Sequence, residues 1–151
     1  MPKSPPRIMF YHDGRHPHIY RYEPPMQKEE YAACIDELAG TPVEAVMFCL
    51  GEGRTMLHDT KVGELWGHNV EGWPHALFHR AHKNAVALIE SGNDPLRVIC
   101  DRAHDKGMEF VASLRMSLLG GIDPKFKISE GGGWLAHPEV RDLQLRLFHE
   151  L

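Results

Sequence analysis

Several things are scarce in this chain of 151 residues. There are only three cysteines, Cys34, Cys49 and Cys100; they form no CxxC pair and leave an odd thiol. That pattern suits a reducing compartment, and a cytoplasmic setting is expected. No apolar run approaches the length of a membrane span. The opening Met1–Arg7 is basic and proline-rich but lacks the apolar stretch of a secretory signal. Basic residues do not dominate: 17 Lys and Arg stand against 21 Asp and Glu, a net charge of −4 with no block of one sign. A nucleic-acid footprint would show as a basic patch, so that class of partner is excluded. The motifs GxSxG, GxxxxGK[ST] and HExxH are all missing.

What is present is an ordinary globular balance, 42% apolar and 25% charged, in a length that suits one domain with a buried core. Histidine is the unusual residue, with 11 copies.

Hydrophobic patterning divides the chain into alternating elements. Arg7–His12 is a short apolar run with aromatic content, expected to be a buried strand ending at Asp13-Gly14. Residues 14–26 hold prolines and histidines and are expected as loop. Gln27–Ala39 repeats Tyr31, Cys34, Ile35 and Leu38 at helical spacing, with Gly40 placed to close the helix. Val43–Leu50 is a nearly continuous apolar strand of the kind buried in a parallel sheet. Ala76–Glu90 carries the stripe Leu77, Ala81, Ala85 and Leu88. Asp94-Pro95 then offers an N-cap and a first-turn proline for a helix to Lys106. Met108–Leu114 is the third strand, and Pro138 opens a last helix with the stripe Val140, Leu143, Leu147 and Leu151.

The order β-α-β-α-α-β-α predicts an α/β fold with a parallel sheet. Helix-to-strand links are short, whereas the strand-to-helix links run 14–26, 51–75 and 117–137, or 13, 25 and 21 residues. All three long loops leave the carboxyl ends of parallel strands, the face on which barrels and open α/β sheets build their sites. The chain stops while still in helical phase. Residues 7–151, after a leader at 1–6, are therefore expected to be parallel β/α units forming the first three strands of a (β/α)8 barrel, truncated before strand four.

Candidate residues cluster at those strand ends. Asp13 and His12 close the first strand, where acid/base groups sit. Glu52, flanked by Gly51 and Gly53, projects from the second, and Arg54 follows as a contact for a substrate carboxylate or as a solvated charge. Trp66 and Trp73 lie in the long second loop, where they either line a site for a ligand with apolar and polar sides or pin the loop to the body. Arg115 ends the third strand, either forking onto a substrate oxygen or pairing with a carboxylate such as Glu52 or Asp13. His12, Asp13, His16 and His18 form a rival metal set, weighed against a plain polar turn. His75, His79 and His82 share one helical face and read as solvated or half-buried.

At Thr41–Glu44, Cys49–Gly53, Thr60–Gly67 and Val111–Met116 the sequence resembles the amino-terminal part of a family of glycoside-hydrolase-like bacterial TIM-barrel proteins, mostly described as hypothetical or as family-10-like glycosyl hydrolases. The block Thr60-Lys-Val-Gly-Glu-x-Trp66-Gly67 is the most specific part. The resemblance implies a (β/α)8 barrel acting on carbohydrate, with no cofactor. Ser117-Leu118-Leu119-Gly120 stands where Asn-Asp-x-His is expected, which replaces polar strand-end groups by apolar ones.

The expectation is thus part of a glycoside hydrolase that cleaves by two carboxylates, with Asp13 and Glu52 as the catalytic candidates and His12, Arg54, Trp66 and Arg115 as substrate-binding ones. The chain by itself is expected to be inactive, and open sheet edges are expected to favour self-association. The alternatives are a metal-dependent hydrolase and a degenerate barrel that only binds carbohydrate.

Overall fold

The three apolar runs form the parallel centre of one sheet. The structure, a computed structural model, describes residues 8–116, 121–126 and 134–151. Strand β1 (Met9–His12) pairs in parallel with β2 (Ala45–Glu52), and β2 pairs in parallel with β5 (Glu109–Arg115). Two short strands, β3 (Thr55–Met56) and β4 (Glu64–Leu65), extend the sheet beyond the carboxyl end of β2. There β3 runs antiparallel to β2, and β4 parallel to β3. The result is a mixed α/β fold around a five-stranded, mostly parallel open sheet. Both β1 and β5 pair with β2 alone, so each presents an edge among the described strands.

Side chains alternate across the sheet. Val46, Phe48 and Leu50 of β2 are buried against helices α2 (Lys28–Asp36), α3 (Ala76–Glu90) and α4 (Pro95–Asp105), through Tyr31, Ile35, Leu88, Ile99 and Ala103. Phe110, Ala112 and Leu114 of β5 join the same cluster. The less covered part of the sheet is β1, where Met9 is 43%, Phe10 40% and Tyr11 50% exposed, whereas Ala45 and Cys49 of β2 are buried.

The helix ends form for local reasons. Gln27 and Glu30 make a reciprocal capping box at the start of α2. Asp94 accepts the Arg97 N–H at 3.2 Å, and Pro95 opens α4. Gly107, at φ +76°, turns the chain between α4, which ends at Asp105, and β5, which starts at Glu109.

Four expectations are corrected. The first strand is not buried: β1 lies at the sheet edge with Met9, Phe10 and Tyr11 all exposed, because among the described strands only β2 pairs with it. Residues 14–26 are not all loop, because His16–Tyr20 forms a short helix, α1. Five residues are too few to display a 3.6-residue period. The long loop 51–75 contains β3 and β4, whose two-residue lengths carry no alternation to read. Leu77 is 41% exposed rather than on the buried stripe of α3. Asn84 is buried there instead, its amide donating to the His18 and Tyr22 carbonyls at 2.9 Å each. The last helix, α5 (Pro138–Glu150), docks on the long loop: Gln144 donates to the Gly53 carbonyl at 2.6 Å, and Thr60 donates to Glu150 at 2.6 Å. The leader 1–6 and the departure at Ser117-Leu118-Leu119-Gly120 lie outside the described residues, as does the stretch 127–133. Among the described residues, no helix is long and apolar enough to cross a membrane.

Candidate functional site

The carboxyl ends of β1, β2 and β5 converge on one small cleft lined by Asp13, Arg15, Glu52, Trp66 and Arg115, with Cys49, Gly51, Thr55 and Leu57 at its base. Register explains the meeting. Glu52 stands beside Arg115 across the parallel pair, after an irregularity in the ladder between Cys49 and Glu52. That irregularity shifts the last residues of β2 out of strict alternation and aims the Glu52 carboxylate along the cleft.

Glu52 is the centre of the set. Arg15 grips it with both terminal nitrogens, Nη2 to Oε2 at 3.1 Å and Nη1 to Oε1 at 3.4 Å. Arg115 approaches the same Oε2 at 3.5 Å, an ion-pair contact rather than a tight hydrogen bond. The three side chains are 16%, 20% and 27% exposed, so water screens them only in part. Partial burial opposes the Arg115 charge, but Tyr11, Cys49 and Glu52 outweigh it and hold its pKa above the ordinary arginine value. Tyr11 is raised, chiefly by burial, with Arg115 pulling the other way.

Arg15 also lies over the Trp66 ring, 5.5 Å from its centroid, in a cation–π arrangement. Both tryptophans of the long loop anchor it, Trp66 by packing on Trp73 and edge-on to Phe78 of α3. Trp66 has the second role as well, because it lines the cleft. Trp73 is stacked between His79 and His82 of α3, at 5.7 and 5.6 Å, and so anchors the loop.

The chain reaches this cleft through Gly14. It sits at φ +79°, and a Cβ there would lie 1.8 Å from the Cys49 carbonyl oxygen. Only glycine lets the end of β1 pass so close to β2. Asp13 is exposed and accepts the His16 N–H at 3.1 Å, which ties down the turn into α1.

Two proposed site residues stand apart. His12 turns to the helix face, stacked on Phe48 at 4.6 Å, and its Nδ1 accepts the Gly14 N–H at 3.0 Å. Burial lowers its pKa, Asp13 opposing, which agrees with a neutral ring whose Nδ1 is an acceptor. Arg54 points away and pairs with Glu64 at 2.9 Å. The rival metal set also disperses. His16 packs on Tyr20 at the surface, and His18 is fully buried and stacked on Tyr31 at 4.4 Å. Among the described residues, no group of three His, Cys, Asp or Glu side chains is placed to hold a metal ion.

Arg15 was not singled out in the sequence, where it reads as one more loop charge. The available signal was its place two residues after Asp13, across a glycine, which returns the side chain to the strand-end face. Larger clefts, about 400 Å³ between α2 and α4 and about 550 Å³ beside His58 and Glu150, lie on the helix side. They bring together scattered charges of both signs, without the convergence of several strand ends on one group.

The chain matches no protein-family model and no curated protein sequence.

Proposed function

We propose that these β/α units are the first three of a glycoside-hydrolase-like (β/α)8 barrel, and that the strand-end cleft binds carbohydrate. The observation that carries this reading is the convergence of Asp13, Glu52 and Arg115 from three successive parallel strands on one cleft walled by Trp66. Trp66 supplies an apolar ring face for a pyranose, and the charged groups around it supply donors and acceptors for hydroxyls.

Glycoside hydrolysis needs one carboxyl that can give a proton and a second that acts as nucleophile or base. Here both Glu52 oxygens are engaged by guanidinium groups, and one Asp13 oxygen is engaged by a backbone N–H. Binding, rather than turnover, is the role these residues fit in this chain by itself. The metal-dependent alternative loses its support once His12 and His18 turn away from Asp13.

Titration of the purified chain with neutral and acidic oligosaccharides, followed by tryptophan fluorescence and calorimetry, tests the reading. Saturable binding that Trp66→Ala abolishes is expected, with no release of reducing ends. Failure to bind any saccharide would overturn it. Hydrolysis lost in Glu52→Gln would replace binding with catalysis.

A further inference from the structure

We infer that the strand-end cleft takes an acidic sugar, whose carboxylate replaces that of Glu52 between Arg15 and Arg115; the inference rests on the carbohydrate reading above. Two guanidiniums face one carboxylate here, so the central trio carries one positive charge in excess. Asp13 lines the same cleft, but it is exposed and one of its oxygens is committed to the His16 backbone.

The cleft has only about 10 Å³ of free space, room for no more than one water. A ligand therefore cannot enter beside the ion pair and must take a place already filled. Glu52 occupies the position in which a ligand carboxylate would be held by a forked guanidinium contact.

The exchange also bears on the apolar wall. Arg15 both grips Glu52 and covers the Trp66 ring. It comes from the turn between β1 and α1, whereas Arg115 is held in β5. A ligand carboxylate in the place of Glu52 keeps Arg15 between itself and the indole, so the sugar ring packs at the edge of Trp66 beside the guanidinium. Charge recognition and ring packing are coupled through one side chain.

Four probes separate the possibilities by calorimetry and tryptophan fluorescence: trigalacturonate, its methyl ester, neutral galactotriose and succinate. Trigalacturonate is expected to bind at least about tenfold more tightly than its ester, since the ester leaves the arginines without their anion. The preference should shrink with added salt and vanish in Arg115→Ala, with Arg115→Lys intermediate. Glu52→Gln removes the internal competitor and should tighten trigalacturonate binding several-fold, a gain that misfolding cannot mimic. Equal binding of acid and ester, or weaker acid binding in Glu52→Gln, overturns the inference while the carbohydrate reading stands. Succinate binding as tightly as trigalacturonate overturns the carbohydrate reading and keeps the arginine pair as an anion site. Silence to all four overturns both.

Discussion

The strand-end cluster and the histidines of the core hold ionisable groups in opposite ways. At the strand ends, Glu52 has two cationic partners and every member of the trio keeps some contact with water. In the core, His18 is fully buried and neither ring nitrogen has a hydrogen-bond partner among the described residues, while the Tyr31 ring stacks on its face. Burial drives the His18 pKa down to about 3, so the ring is a neutral aromatic filler at ordinary pH. His58 is a milder case: burial lowers it, although Asp94, Glu150 and Asp59 favour its charge. Paired, partly exposed charges can trade one partner for another at small cost. An unpaired buried imidazole can only stay neutral or oppose the fold. The first arrangement suits a binding site, and the second limits stability in acid.

The largest effect is expected where the two regions join. Gly14 lies between the strand-end cluster and the helix that buries His18. Gly14→Ala places a Cβ against the Cys49 carbonyl at a positive φ, and should cost about 3 kcal/mol from strain and overpacking combined. Urea unfolding measures it; a loss below about 1 kcal/mol would show that β1 and β2 separate there without consequence.

Acid comes next. Below about pH 6.5 the unfolded chain takes up a proton at His18 that the folded chain refuses until about pH 3, so stability falls as pH drops through that window. Between pH 7 and 5 the loss from this group is about 2 kcal/mol, with His12 and His58 adding in the same direction. His18→Phe keeps the stacked ring and should remove most of the slope. A stability that is flat from pH 7 to 5 in the parent chain would mean that His18 meets water.

The smallest effect is expected at the cluster. Glu52→Gln should change stability by about 1 kcal/mol, since water still screens these partly exposed ion pairs. A loss above about 2 kcal/mol would make Glu52 a structural keystone and remove the contrast with the core.

The architecture was legible because its signals are local. The runs at 7–12, 43–50 and 108–114 are continuous enough to mark strands, and the Asp94-Pro95 and Gly107 punctuation brackets α4 closely. The strand ends were therefore legible as a meeting place, and Asp13, Glu52, Trp66 and Arg115 share the cleft. Individual side-chain directions were not. His12 precedes Asp13 by one residue, and strand alternation sends it to the opposite face. Arg54 follows Glu52 by two, but the β2–β3 turn carries it to Glu64.

By itself, the sequence determined the order of the main elements, the parallel pairing implied by helical crossovers, and the absence of a long apolar run or a block of like charge. These follow from periodicity, turn chemistry and composition, each set within a few neighbouring residues. Only the tertiary structure decided that Arg15 closes on Glu52 across 37 positions, that Trp66 both lines the cleft and packs with Trp73 against α3, and that His18 is core. Each of those outcomes depends on which surfaces compete for one side chain once the sheet has formed. That competition is among residues far apart in the chain, and no local pattern records it.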